Sequence, residues 1–256
     1  MEKISIRTTR HLGDVITILN LMYSRSIENG WEISIRGPEF TKQVLNLFDY
    51  KGLIYEGVPD EDILQDSKLI EYFPKFNNGY LSKRQPKVNF LAKELFCFNK
   101  KIKAKKITKI HLPELKVKPQ PKENIICFQF DSRTSHETKI VLSSEEQRSV
   151  LKRTVKNKRP VGIGGHETVP YSDHEYRLGT IFHSLRNLLA CEKFVGTDSG
   201  MSHLAGTAKV PGEVVIIHPF EPHPTELIQM YEIMYPTLKC YKRHELLFHR
   251  ITQVCK

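Results

Sequence analysis

Cysteine is scarce in this chain, and its spacing excludes two common kinds of small-protein scaffold. The 256 residues contain five cysteines, and no two of them form a C-x-x-C pair. A structural zinc site of the usual spacing is therefore excluded. The odd, scattered set also fails to fit the disulfide framework of a secreted domain. We expect reduced, mostly buried thiols in a cytoplasmic protein.

Long apolar runs are missing as well. The first residues, MEKISIRTTRH, are charged from the second position and lack the apolar core of a signal peptide. No stretch approaches the ~18 apolar residues that a membrane helix needs. We expect no transmembrane segment, so that any contact with a membrane is made from its surface.

Three catalytic or cofactor motifs are absent too. The stretch GIGGHE at 162–167 lacks the spacing and third glycine of G-x-G-x-x-G, which argues against a nicotinamide-dependent oxidoreductase. The serine elbow G-x-S-x-G is missing. A DSG triplet occurs once, at 198–200, whereas aspartic proteases need a second carboxylate to share a proton.

Positive charge is plentiful, and it is concentrated in one segment. The formal net charge is +10, while residues 83–122 hold thirteen Lys and Arg against two Glu, a net of +11, so the remaining 216 residues net −1. Such a segment is either a solvated face with a linker or a surface that binds a polyanion. The four lysines that we assign to acceptor binding in the second case are Lys100, Lys101, Lys105 and Lys106.

The order of elements predicts an α/β protein with two Rossmann-like domains. KISIRTT, WEISIRG and GLIYEG are typical of strands, and they alternate with two amphipathic helices. The proline-rich segment 113–124 is the best linker candidate, and the strand–helix pattern restarts after it. We predict domains at 1–118 and 119–256 that face a cleft. EYRLGTIFHSLRNLLACE is interpreted as one helix.

Two strand-to-helix turns carry residue types suited to catalysis. Gly13 and Asp14 follow the first strand, where Asp14 is either a helix cap or first-turn dipole partner, or a general base. Residues 196–205, GTDSGMSHLA, follow a later strand. Free N–H groups at such a helix start bind anions. The loop 131–139 supplies Arg133 and Lys139, cations suited to a diphosphate without a metal.

These residues resemble glycosyltransferase family 9, the heptosyltransferases. ISIRTTRHLGDVITILNLMYS is similar to the opening of that family, where a strand and a GD turn lead into the first helix. FVGTDSGMSHLAG is similar to its second hallmark, a strand followed by D-[ST]-G-x-x-H-x-A. The resemblance covers both domains in order, although the chain is short for the family.

The resemblance implies a GT-B enzyme with its acceptor in the N-terminal domain and a nucleotide-diphosphate sugar in the C-terminal domain. Asp14 corresponds to the catalytic base of an inverting transfer that needs neither a metal nor another cofactor. Arg10 and His11 are assigned to the acceptor. The donor-binding residues are Gly13, Arg133, Lys139, Gly164, Gly165, His166, Asp198, Ser199, Gly200, Met201 and His203.

The acceptor is the most open question at this point. The basic segment favours a polyanion, and we expect hydroxymethylated bases of DNA, since viral DNA-modifying glycosyltransferases are GT-B enzymes as well. A viral enzyme of this kind would work in the host cytoplasm. The alternatives are a phosphorylated lipopolysaccharide core, as the family resemblance implies, and a non-catalytic nucleic-acid-binding protein that has no need of Asp14.

Overall fold

The computed structural model describes residues 3–8, 11–57, 69–70, 110–130, 141–165, 174–217 and 223–245. The chain divides into two compact units, Met1–Val117 and Lys118–Lys256. Both units contain a parallel β-sheet with helices, which confirms the α/β class expected from the sequence. In the described part of the chain, every helix falls short of the length and apolarity required to cross a bilayer.

The N-terminal unit is built on a four-stranded parallel sheet in the order β4-β2-β1-β5. A left-handed glycine at position 30, with φ of 68°, ends the first helix as the sequence predicts. Two short strands, β3 and β6, pair antiparallel beside the sheet. The elements are β1 (Lys3–Arg7), α1 (Leu12–Asn29), β2 (Glu32–Arg36), α2 (Glu39–Leu47), β3 (Phe48–Asp49), β4 (Leu53–Gly57), β5 (Leu69–Ile70) and β6 (Glu114–Leu115).

Part of the segment predicted as a linker belongs to the N-terminal unit. Strand β6 lies in this segment, because Glu114 and Leu115 are not prolines and their backbone can pair with β3. Lys116 extends this contact, since its backbone N–H donates to Leu47 at 2.9 Å and its ammonium donates to the Leu45 carbonyl at 3.1 Å.

The C-terminal unit has a six-stranded, fully parallel sheet in the order β12-β11-β10-β7-β8-β9. Counted along this unit alone, the order is 6-5-4-1-2-3, which is the doubly wound dinucleotide-binding order. Every residue of β7 is buried, as a central strand covered on both faces requires. The elements are β7 (Ile125–Gln129), α3 (Ser144–Val155), β8 (Arg159–Gly164), β9 (Glu175–Leu178), α4 (Ile181–Ala190), β10 (Lys193–Thr197), α5 (Gly200–Thr207), β11 (Gly212–Ile216), α6 (His223–Met234) and β12 (Leu238–Lys242).

One interpretation of the C-terminal sequence is wrong, and one helix was missed. The segment expected to form one helix begins instead with β9, which pairs with β8. The helix α4 begins after it, with Thr180 as its N-cap, whose side chain accepts a hydrogen bond from the His183 N–H. Tyr176 explains the strand, because its ring fills the space beside Gly162, where a Cβ would lie 2.3 Å from the ring. The helix α6 was not recognised from the sequence.

Candidate active site

The candidate active site of the C-terminal unit lies where the strand order reverses, between β7 and β10. In sheets of this order, ligands bind beyond the carboxyl ends of the two strands on either side of that point. Two side-chain contacts fix the ends of these strands together. The hydroxyl of Thr197 donates to the Phe130 carbonyl at 2.9 Å, and that of Ser199 donates to Gln129 Oε1 at 2.5 Å.

Helix α5 begins at this point with backbone donors that have no carbonyl partner within the helix. Its first intrahelical hydrogen bond runs from the His203 N–H to the Ser199 carbonyl at 3.2 Å, so the N–H groups of Gly200 and Met201 precede it. Ser202 tightens the turn, since its hydroxyl accepts from the Ser199 N–H at 2.9 Å. No acidic residue lies in the first turn. The helix start therefore suits an anion.

Asp198 precedes this helix start, and its carboxylate is held by Tyr231 of α6. The Tyr231 hydroxyl donates to Asp198 Oδ1 at 2.8 Å and lies 2.7 Å from the Ser202 hydroxyl. Burial, and then the charge of Asp198, raise the pKa of Tyr231 well above its usual value. The hydroxyl consequently keeps its proton and remains a donor at any physiological pH.

His203 lies under the same turn, enclosed by two tyrosines. Its ring stacks on that of Tyr231 at 5.1 Å between centroids, and its Nδ1 lies 3.0 Å from the Tyr235 hydroxyl. Its Nε2 is 3.3 Å from Asp198 Oδ1. The side chain of His203 is 2% exposed, against 19% for Asp198. This histidine therefore packs against the turn from the protein interior. Its contact with a donor stays a prediction.

The end of β8 contributes a second glycine turn to the C-terminal unit. Gly164 has a φ of 139°, a backbone conformation that residues other than glycine rarely adopt. Gly165 follows in open space, because a Cβ placed there would meet no atom within 4 Å. The described residues thus leave open space beside Gly165, and the contact of Gly164 and Gly165 with a donor stays a prediction.

In the N-terminal unit, the predicted base lies in the first turn of α1, directly beyond β1. The helix begins earlier than the sequence suggests, at Leu12, with His11 as its N-cap, so that Asp14 is not the cap. Asp14 is half-buried, and its carboxylate makes no hydrogen bond or ion pair with another described residue. Gly13 is half-buried and His11 is exposed. The role of Asp14 as a general base stays a prediction.

Eight predicted site residues lie outside the described part of the chain: Arg10, Lys100, Lys101, Lys105, Lys106, Arg133, Lys139 and His166. Among the predicted residues that are described, those at the start of α5 lie together: Asp198, Ser199, Gly200, Met201 and His203. Among the described residues, no group of three His, Cys, Asp or Glu side chains is arranged to hold a metal ion.

Four residues of this network were missed by the sequence reasoning: Gln129, Ser202, Tyr231 and Tyr235. Tyr231 and Tyr235 are spaced by four residues, a pattern that is also typical of an ordinary buried helix face. Gln129 gives a clearer signal, since it is the one amide in the apolar strand β7, IICFQ. A polar side chain at the end of a buried strand indicates a hydrogen-bond partner nearby.

Comparisons with known proteins agree with this architecture. No protein-family model matches the chain, and no curated protein matches it. Solved structures do. ADP-heptose lipopolysaccharide heptosyltransferase II of E. coli is 12% identical with a TM-score of 0.59, over 94% of this chain and 90% of that one. A glycosyl transferase of family 9 from Veillonella parvula is 13% identical with a TM-score of 0.53, over 94% and 86%.

A third neighbour differs in length. The iron-containing dodecameric glycosyltransferase TibC of enterotoxigenic E. coli is 14% identical with a TM-score of 0.55, over 83% of this chain. The chain spans 59% of the length of TibC. All three neighbours are glycosyltransferases by their descriptions, and two are heptosyltransferases or members of family 9. The resemblance to family 9 and the α/β fold of GT-B type, both expected from the sequence, are thereby confirmed at the level of the fold.

Proposed function

We propose that this protein is a glycosyltransferase that moves a sugar from a nucleotide-diphosphate sugar to a hydroxyl of an anionic acceptor. The observation that carries the proposal is the start of helix α5, whose first N–H groups have no carbonyl partner within the helix and lie at the switch point of a doubly wound sheet. The fold shared with heptosyltransferases supports a sugar donor rather than a dinucleotide.

The proposed reaction is a single displacement at the anomeric carbon. The acceptor oxygen forms its bond to that carbon while the bond to the diphosphate oxygen breaks, and the nucleoside diphosphate departs with the bonding electron pair. Asp14 takes the proton of the attacking hydroxyl. Inversion of the anomeric centre follows, because only one displacement occurs.

The leaving diphosphate needs stabilisation as its negative charge grows. The N–H groups at Gly200 and Met201 supply it, together with the dipole of α5. Arg133 and Lys139, which follow β7 in the sequence, supply two further cations in this proposal. We propose that these groups act in place of a metal ion at the diphosphate.

The neighbours favour a different acceptor from the one that the sequence favoured. Heptosyltransferase II is described as a lipopolysaccharide enzyme that uses ADP-heptose, whereas hydroxymethylated DNA was expected from the basic segment. Two of the thirteen cations of that segment also have internal partners, since Lys116 donates to Leu45 and Lys122 donates to the Cys191 carbonyl at 2.7 Å. We therefore propose a phosphorylated core glycan as the acceptor and ADP-heptose as the donor.

A panel of nucleotide sugars tests the proposal. We expect ADP-heptose to raise the melting temperature of the protein more than UDP-, GDP- or CMP-linked sugars do, because a ligand stabilises the state that binds it. ADP alone should give part of the shift, since it retains the diphosphate. If no nucleotide sugar or nucleoside diphosphate shifts the melting temperature, the proposed function is wrong.

A further inference from the structure

The turn that begins α5 is held on two sides by one hydroxyl group. Tyr231 Oη lies 2.8 Å from Asp198 Oδ1, just before the helix, and 2.7 Å from Ser202 Oγ in its first turn. The N–H groups of Gly200 and Met201, which have no carbonyl partner within the helix, belong to the residues between these contacts. The hydroxyl of Tyr231 therefore fixes the chain on both sides of the proposed diphosphate contact.

Tyr231 is itself fixed, which makes it an effective anchor. It is fully buried, and its ring stacks on His203 with an angle of 26° between the ring planes. The residue belongs to α6, an element that begins after β11, so the turn is held from outside its own strand–helix unit. A rigid support of this kind lowers the entropy that a ligand must overcome when it binds.

Asp198 needs such a partner for an electrostatic reason. A carboxylate next to a diphosphate repels it, and an unrestrained Asp side chain tends to accept a hydrogen bond from the backbone N–H two residues further on. In this chain that N–H belongs to Gly200, one of the two proposed phosphate donors. The Tyr231 hydroxyl engages Asp198 Oδ1 and compensates part of its charge.

We propose that Tyr231 is a positioning residue for the donor diphosphate, acting through Asp198 and Ser202 without touching the donor. The proposal rests on the proposed function. It assigns a role in donor binding to α6.

The test compares two buried tyrosine hydroxyls, each bonded to another side chain, that lie in different units. Tyr231→Phe removes the hydroxyl at the turn. The matched control is Tyr50→Phe in the N-terminal unit, which removes a buried hydroxyl bonded to Asn20 Oδ1 at 2.9 Å. The probes are inorganic pyrophosphate, ADP and adenosine, and titration calorimetry measures the Kd of each for wild type and both variants.

We expect Tyr231→Phe to weaken pyrophosphate and ADP by about 5–10-fold, the usual effect of losing one or two buried hydrogen bonds at a site. Adenosine should bind the variant as it binds wild type, because it lacks the diphosphate. Tyr50→Phe should bind all three probes as wild type does, even if its melting temperature falls as much as that of Tyr231→Phe. A general loss of stability would not separate the probes in this way.

The outcomes distinguish a failure of this inference from a failure of the proposed function on which it rests. If wild type binds neither ADP nor pyrophosphate, the proposed function fails and the inference falls with it. If wild type binds them and Tyr231→Phe binds them equally well, or loses adenosine in parallel, the inference alone is wrong.

A second variant keeps the test decisive if Tyr231→Phe does not fold. Ser202→Ala removes the other group that the Tyr231 hydroxyl contacts in the turn, so we expect pyrophosphate and ADP to bind about 5–10-fold more weakly while adenosine binds as in wild type. Pyrophosphate binding equal to that of wild type, or a parallel loss of adenosine binding, would overturn the positioning role.

Discussion

The two units each present a helix start at the end of a parallel strand, and the two helix starts differ in charge. Helix α1 carries Asp14 in its first turn, whereas the first turn of α5 contains no acidic residue. The dipole of α1 therefore already faces an anion, while that of α5 is left for a ligand. The same local structure thus suits a proton acceptor in one unit and a phosphate site in the other.

Removing the carboxylate of α1 gives the largest expected effect. In Asp14→Asn, transfer should fall on the order of 10²–10⁴-fold, the usual contribution of a general base. Donor binding should survive, because the proposed contacts with the diphosphate lie in the other unit. Steady-state kinetics and donor titration measure the two effects, and transfer at the wild-type rate would return Asp14 to the role of a dipole partner.

Reversing charge in the basic segment is expected to have the next largest effect. The changes of Lys100, Lys101, Lys105 and Lys106 to Glu should weaken binding of a phosphorylated glycan on the order of 10²-fold, with donor binding unchanged. On duplex DNA, the log–log slope of affinity against salt should be roughly −0.9 per phosphate contacted. Titration of both acceptors at two salt concentrations measures this. Equal binding by wild type and variant would leave the segment as a solvated surface, and preference for DNA would restore the acceptor expected from the sequence.

Making the helix starts alike tests the comparison directly. Gly200→Asp puts a carboxylate at the start of α5, which should weaken ADP binding by about tenfold through repulsion. The same change should leave stability equal or slightly higher, since an acidic residue favours a helix N-terminus by about 0.3–1 kcal/mol. Gly200→Asn is the neutral control. Titration calorimetry and thermal unfolding measure both quantities, and equal ADP binding by the Asp and Asn variants would show that the diphosphate lies elsewhere.

A smaller effect concerns pH and the C-terminal unit alone. Two hydrogen bonds from Arg177, at 2.9 and 3.1 Å, hold the pKa of Glu123 below its usual value. A carboxyl whose pKa is lower in the folded state stabilises the protein above its unfolded pKa of about 4.3, and this contribution is lost as pH falls through the folded value. The melting temperatures of wild type and Glu123→Gln should therefore differ slightly at pH 7 and converge in acid. A difference that persists in acid would contradict this assignment.

The smallest expected effect is that of a chelator. Transfer should continue in EDTA, because the start of α5, Arg133 and Lys139 are proposed to stabilise the leaving diphosphate. Activity assays with EDTA, and then with added magnesium, manganese or iron, measure this. Loss of transfer that one of these metals restores would show that a metal stabilises the leaving group.

Sequence reasoning found β1, β2, β4 and the end of α1 because their signals are local. Alternating apolar residues predict β2, and Gly30 predicts the end of α1. It failed at β9, because EYRL adjoins a strongly helical stretch and only pairing with β8 makes it a strand. The contact of Tyr231 with Asp198, 33 residues apart, depends on how α6 packs beside α5, and no local pattern encodes that.

Analysis of the reaction product tests the central claim most directly. The protein would be incubated with ADP-heptose and a phosphorylated core glycan that lacks heptose, and the products would be examined by mass spectrometry and NMR. The account predicts ADP in equal amount to a glycan that has gained one heptose, joined with inverted anomeric configuration. Release of ADP without a glycosylated product, or a product with retained configuration, would contradict it.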